Sequence, residues 1–100
     1  MLDKEQARRF VGTIKRYMER YELSANQMAR MSGVDAVMIG AFTHGAVIPP
    51  LSDAVALVHA TGMAPSDIDT LIGLEPGTAH DIMVERWYSD KCKAMGGRRF

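Results

Sequence analysis

Apolar residues recur every three or four positions along most of this chain, and no stretch shows the strict alternation of a strand. That rhythm, punctuated by polar caps, glycines and prolines, predicts five or six helices. Asp3 with Gln6 makes a capping box for a first helix running to about Glu22. Its apolar positions Phe10, Ile14, Met18 (or Tyr17) and Tyr21 form one buried stripe, while Arg8, Arg9, Lys15, Arg16, Glu19 and Arg20 fill the other faces. A second helix opens on Ser24, with Gln27 three residues on completing another box, and turns Met28 and Ala29 inward. Gly33 supplies the residue that takes a positive φ where a short helix must stop. Val34 is the apolar pin of the turn. Asp35 caps a third helix with Met38, Ile39 and Phe42 inward, ended by Gly45.

The paired prolines 49 and 50 forbid any helix from Gly45 onward until Leu51. A fourth helix, capped by Ser52, then runs to Ala60 with Leu51, Val55, Leu57 and Val58 on its inner side, and Gly62 breaks it. Ser66 caps a fifth, which carries Ile68, Leu71 and Ile72 and stops at Gly73. Leu74 to Gly77 reads as a hinge-like loop. Thr78, with Asp81 as a weaker box, caps a last helix whose apolar face is Met83, Val84, Trp87, Tyr88, Cys92 and Met95. Gly96 and Gly97 end it, and Arg98 to Phe100 form a frayed tail. The expected fold class is all-α, with a helical domain over residues 1–74 and an accessory helix with a basic tail over 75–100.

One hundred residues suffice for a single modest core. No apolar run approaches the ~18 residues of a membrane span, and the start MLDKEQARRF is too charged for a signal peptide. A lone cysteine excludes an internal disulfide and suits a reducing cytosol, so a cytoplasmic location is expected. Net charge is zero, but it is unevenly spread. Residues 1–22 hold six basic and four acidic side chains, and residues 76–100 hold five and three. Between them, residues 51–75 hold Asp53, Asp67, Asp69 and Glu75 and no Lys or Arg. Any cationic footprint must come from the two ends.

Two short helices joined by a glycine-containing turn, Leu23 to Gly45, have the grammar of a helix-turn-helix, the unit that lays its second helix in the DNA major groove. Over roughly residues 8–73 the chain resembles the lambda-repressor/Cro-like (XRE-type) family. The matching positions are Ser24, Ala29, Gly33, Val34, Ile39, Phe42 and Gly45, followed by Pro49, Leu51, Leu57, Ala60, Gly62, Met63 and Ile68. The resemblance implies a five-helix domain, extended here by a C-terminal helix. It also implies a dimeric DNA-binding regulator, repressor-like, of the kind found in bacteria, phages and mobile elements. The framework is kept while the reading positions differ: Ala25, Ala36 and Val37 stand where relatives carry polar residues, Thr43 replaces a frequent Glu, and Thr61 a core Leu.

The candidate DNA-binding residues are therefore Ala25, Asn26, Gln27, Arg30, Asp35, Ala36, Val37, Met38, Ala41, Thr43 and His44. Ala, Val and Met can touch a thymine methyl but cannot make the bidentate bonds that discriminate bases by ~1–3 kcal/mol. Asn26, Gln27, Arg30, Thr43 and His44 suit phosphate contacts at helix ends, or are solvated surface side chains. A second reading stands beside the first. An apolar outward helix also suits a protein partner, in an antiactivator, antitoxin or inhibitor. Met83, Val84, Trp87 and Tyr88 are the expected homodimer interface, the alternative being a helix folded back on its own core. His44, His59, His80 and Cys92 have no metal-type spacing, and no phosphate loop or nucleophile elbow is present. No catalytic role, metal or cofactor is expected.

Overall fold

The first helix, α1 (Lys4–Tyr21), opens on the capping box written into its sequence. Asp3 Oδ1 accepts the Gln6 backbone N–H at 2.8 Å, and Gln6 Oε1 accepts that of Asp3 at 3.0 Å. In this computed structural model, which describes the backbone of residues 2–94 and the side chains of residues 2–89, five further helices follow. They are α2 (Ala25–Ser32), α3 (Ala36–Thr43), α4 (Leu51–Ala60), α5 (Pro65–Ile72) and α6 (Thr78–Ala94), and no strand occurs among the described residues. No described helix is long and apolar enough to cross a membrane. Met95, Gly96, Gly97, the tail Arg98 to Phe100 and the side chain of Cys92 lie outside the described residues.

Helix ends show where local signals sufficed and where they did not. The Ser24–Gln27 box forms, and Gly33 (φ 78°) stops α2 by donating its N–H to the Ala29 carbonyl at 2.8 Å. Asp35 does precede α3, but its side chain makes no capping bond. Burial of Val34 and Ile39 on either side holds that start instead. α3 ends at Thr43, two residues before the expected Gly45. Gly45 (φ 75°) then lets the Ala46 N–H reach back to the Ala41 carbonyl at 3.0 Å. Ser52 and Ser66 are not caps either. Pro50 and Ala64 occupy those cap positions, and Pro65 starts α5 at the one place where a missing N–H costs nothing. α1 stops on Glu22 in the left-handed region (φ 51°), a strain of about 1–2 kcal/mol that no glycine relieves.

The core gathers Phe10 and Ile14 of α1, Met28 of α2, Ile39 and Phe42 of α3, and Ile68 and Ile72 of α5 around α4. Five consecutive residues of α4, Ala54 to Val58, are buried, so the helix lacks the single inner side that its spacing suggests. Leu2, Ala7 and Pro49 also enter the interior. Tyr21, expected in the buried stripe of α1, is exposed. Its ring lies 4.8 Å from that of Tyr17, with the Arg20 guanidinium 5.6 Å above it.

The start of α6 is built by a residue eight to ten positions upstream. Asp69, only 5% exposed, accepts the Gly77 N–H on Oδ2 at 2.9 Å and the Ala79 N–H on Oδ1 at 2.8 Å. Thr78, the expected cap, is instead the first residue of the helix. The α5–α6 connection is therefore pinned, not hinge-like. Ala79 belongs to the core cluster, with Ile82 and Met83 packed against it. Asp69→Ala strands two backbone donors at one buried site. It should cost about 2–4 kcal/mol in urea unfolding, and Asp69→Asn, which keeps one acceptor, about half as much. A loss below about 0.5 kcal/mol for the alanine variant would mean that α6 is held by packing alone.

Candidate nucleic-acid interface

α3 is anchored from two sides. Ile39 is buried in the core, and the Phe42 ring meets that of Phe10 edge-on, centroids 6.4 Å apart at 68°. Such a pairing is worth about 0.5–1.5 kcal/mol beyond its buried area and fixes the helix against α1. These anchors decide which residues look outward. Val37 is 77% exposed, more than any other large hydrophobic residue described. Ala36, Gly40 and Ala41 flank it half-buried, whereas Met38 and Ala25 pack against the core. Of the candidate apolar reading positions, Val37 presents most of the surface.

The polar candidates divide by what already occupies them. Thr43 donates its hydroxyl to the Ile39 and Gly40 carbonyls, both at 3.1 Å. His44 Nδ1 lies 2.7 Å from the Gly40 carbonyl oxygen. Both side chains thus turn back on their own helix. Gln27 spends its carbonyl oxygen on the Ser24 N–H at 2.7 Å, so only its NH2 group can serve a phosphate. Asn26, Arg30 and Asp35 are exposed. Arg30 and Asp35 are the charges of the α2–α3 unit, and they cancel.

The fold adds two cations that the linear pattern does not connect with this unit. Lys15 of α1 lines a depression of about 370 Å³ together with Met18, Glu19, Glu22, Leu23 and Thr43, which puts it beside the C-terminal end of α3. Arg86 of α6 donates to Ser52 Oγ at 2.8 Å and pairs with Asp53 at 3.2 Å, both groups about a quarter exposed. The other terminal nitrogen of that guanidinium comes within 4.0 Å of where a side chain on Gly33 would begin. Helical periodicity assigns Lys15 to a wet face without saying what lies opposite. For Arg86 the sequence holds no signal at all.

Met83, Val84, Trp87 and Tyr88 differ in how far they are covered. Met83 packs against the core, while Val84 is half-exposed and Trp87 and Tyr88 are 61% and 64% exposed. Among the described residues no group of three or more His, Cys, Asp or Glu could hold a metal ion. Compared with protein-family models, curated proteins and solved structures, the chain has no match.

The tight α2–α3 turn yields a direct test. At Gly33 a Cβ would meet nothing closer than the Arg86 guanidinium at 4.0 Å, but φ there is +78°. Gly33→Ala should therefore destabilise by about 1–2 kcal/mol purely through the backbone. Gly33→Asn should cost less, because Asn tolerates that region. Equal losses for the two variants in thermal unfolding would locate the strain elsewhere.

Proposed function

We propose that this chain is a small cytoplasmic DNA-binding regulator, a lambda-repressor-like helix-turn-helix domain with a C-terminal helix, acting as a repressor-type homodimer. The observation that carries the reading is the α2–Gly33–α3 arrangement. A capped first helix, a left-handed glycine and a buried Val34 hold α3 with Val37 outward. Lys15 beside α3, with Arg30 on α2, supplies the cations such a helix needs for phosphates. Sequence preference then rests on methyl contacts from Val37 and on DNA shape.

A second reading is favoured by one specific feature of the same face. The outward side of α3 offers Ala36, Val37, Gly40 and Ala41 and no charged side chain, and the Thr43 hydroxyl and the His44 ring are engaged by carbonyls of their own helix. Such a surface suits a protein partner, in which case the scaffold is an interaction module of the antiactivator, antitoxin or inhibitor type.

Salt dependence separates the two. Operator binding by a dimer using about three cations per subunit should give a log–log slope of roughly −5, and Arg30→Ala should flatten it by about one unit for each phosphate that Arg30 neutralises. Val37→Gln should change base preference without abolishing binding. On the protein reading the same change inserts an amide into an apolar contact and costs roughly 1–3 kcal/mol. Loss of partner binding, with no DNA binding by either form, would sink the regulator.

Dimerisation has its own readout. Trp87→Ala removes an anchor of the kind that contributes about 2 kcal/mol or more at an interface, so the mass in solution should fall toward that of a monomer. An unchanged mass would put the interface elsewhere.

A further inference from the structure

A second surface, separate from the outward side of α3, is apolar at its base and cationic along one wall. Lys4, Arg8, Val11 and Lys15 follow one another at spacings of four, three and four, which places them on one side of α1 over about 16 Å of helix. They line a groove of about 520 Å³ whose floor includes Phe42 and Gly12, with the Arg16 guanidinium 3.7 Å from where a side chain on Gly12 would begin. The opposite wall is the α3–α4 connection, where Val47 and Ile48 are 43% and 48% exposed. Adjacent exposed β-branched residues are unusual in a connection that only needs to turn, and buried Pro49 already anchors it. Among the described residues no acidic side chain lines the groove. Arg8 reaches Glu5 only at 3.9 Å, with both groups well exposed, so its charge stays available.

We propose that this groove between α1 and the α3–α4 connection is a docking site for an acidic amphipathic helix of a partner protein. Three cations strung along about 16 Å, one turn and then two turns apart, match carboxylates at the same intervals on a helix, whereas a single carboxylate would engage one of them. The floor and far wall then receive that helix's apolar stripe. Glu19 and Glu22, in the adjoining depression that shares Lys15, repel acids and bound the site at that end. A nucleic-acid backbone fits less well, because Val11, Val47 and Ile48 would strip water from its phosphates without pairing them. The proposal holds whichever ligand α3 meets.

The test is an NMR titration of the full chain with a synthetic helical peptide of about fourteen residues, bearing a Leu stripe flanked by Glu. Saturable shifts should centre on Val11, Gly12, Val47 and Ile48, with a Kd of roughly 10–100 μM. A double variant, Arg8→Glu with Lys15→Glu, should weaken binding by about tenfold or more at an unchanged melting temperature. Val47→Ser with Ile48→Ser, which alters no charge, should weaken it by a similar factor and covers the case in which charge reversal harms folding. The same peptide with Lys in place of Glu should bind at least about tenfold more weakly. Several results would overturn the proposal. These are no shift at about 1 mM peptide, equal binding of the two peptides, retained binding in both double variants, or tighter occupation of the same residues by double-stranded DNA or by dodecanoate.

Discussion

Burial of α4 on every side is the constraint that organises this protein. Five successive residues at about 100° each cover the whole circumference of a helix, and Ala54 to Val58 are all buried. Such a segment is stable only when surrounded, so α1, α2, α5 and α6 pack around it and supply the apolar faces it lacks. Ala54 and Ala56 keep two of those sides thin, letting neighbouring helices come close. α3 packs chiefly on α1 and α2 and stays at the periphery. That placement is why Val37 on its outer side stays exposed.

Charged side chains, and not only apolar ones, decide where α6 lies. The Asp69 carboxylate receives two backbone donors at the helix start, which satisfies part of the first turn. Further along, Arg86 ties α6 to the first turn of α4 through Ser52 and Asp53, and its guanidinium reaches toward the Gly33 turn. The helix that carries Trp87 and Tyr88 is thereby fixed to the same frame that positions α2 and α3.

Lys15 links the two candidate surfaces. It borders the depression beside Thr43 at the end of α3 and also closes the cationic wall of the α1 groove. A chain with zero net charge achieves local cationic character by setting the basic wall of α1 beside an apolar connection, while acids collect at Glu19, Glu22 and the 51–75 segment. Net charge is a poor guide to such a surface, because fields at exposed sites fade within about 10 Å at moderate salt.

Features that depend on neighbours along the chain were legible in the amino-acid sequence. The Asp3–Gln6 and Ser24–Gln27 boxes and the left-handed stop at Gly33 follow from interactions within four or five residues, and the apolar spacing marked Val34, Ile39 and Phe42 for burial and set the span of α4. The all-helical class was legible as well. What crossed between helices was not legible. Ser52, Ser66 and Thr78 have the chemistry of caps, yet two prolines and a distant carboxylate set those helix starts. Tyr21 and Met38 fit an apolar period equally well, but one faces water beside Tyr17 and the other faces the core. A period names a face; only packing decides which faces are covered. The outward isolation of Val37, the arrival of Lys15 beside α3 and the Arg86 clamp all depend on residues far apart in the chain, which only the tertiary structure brings together.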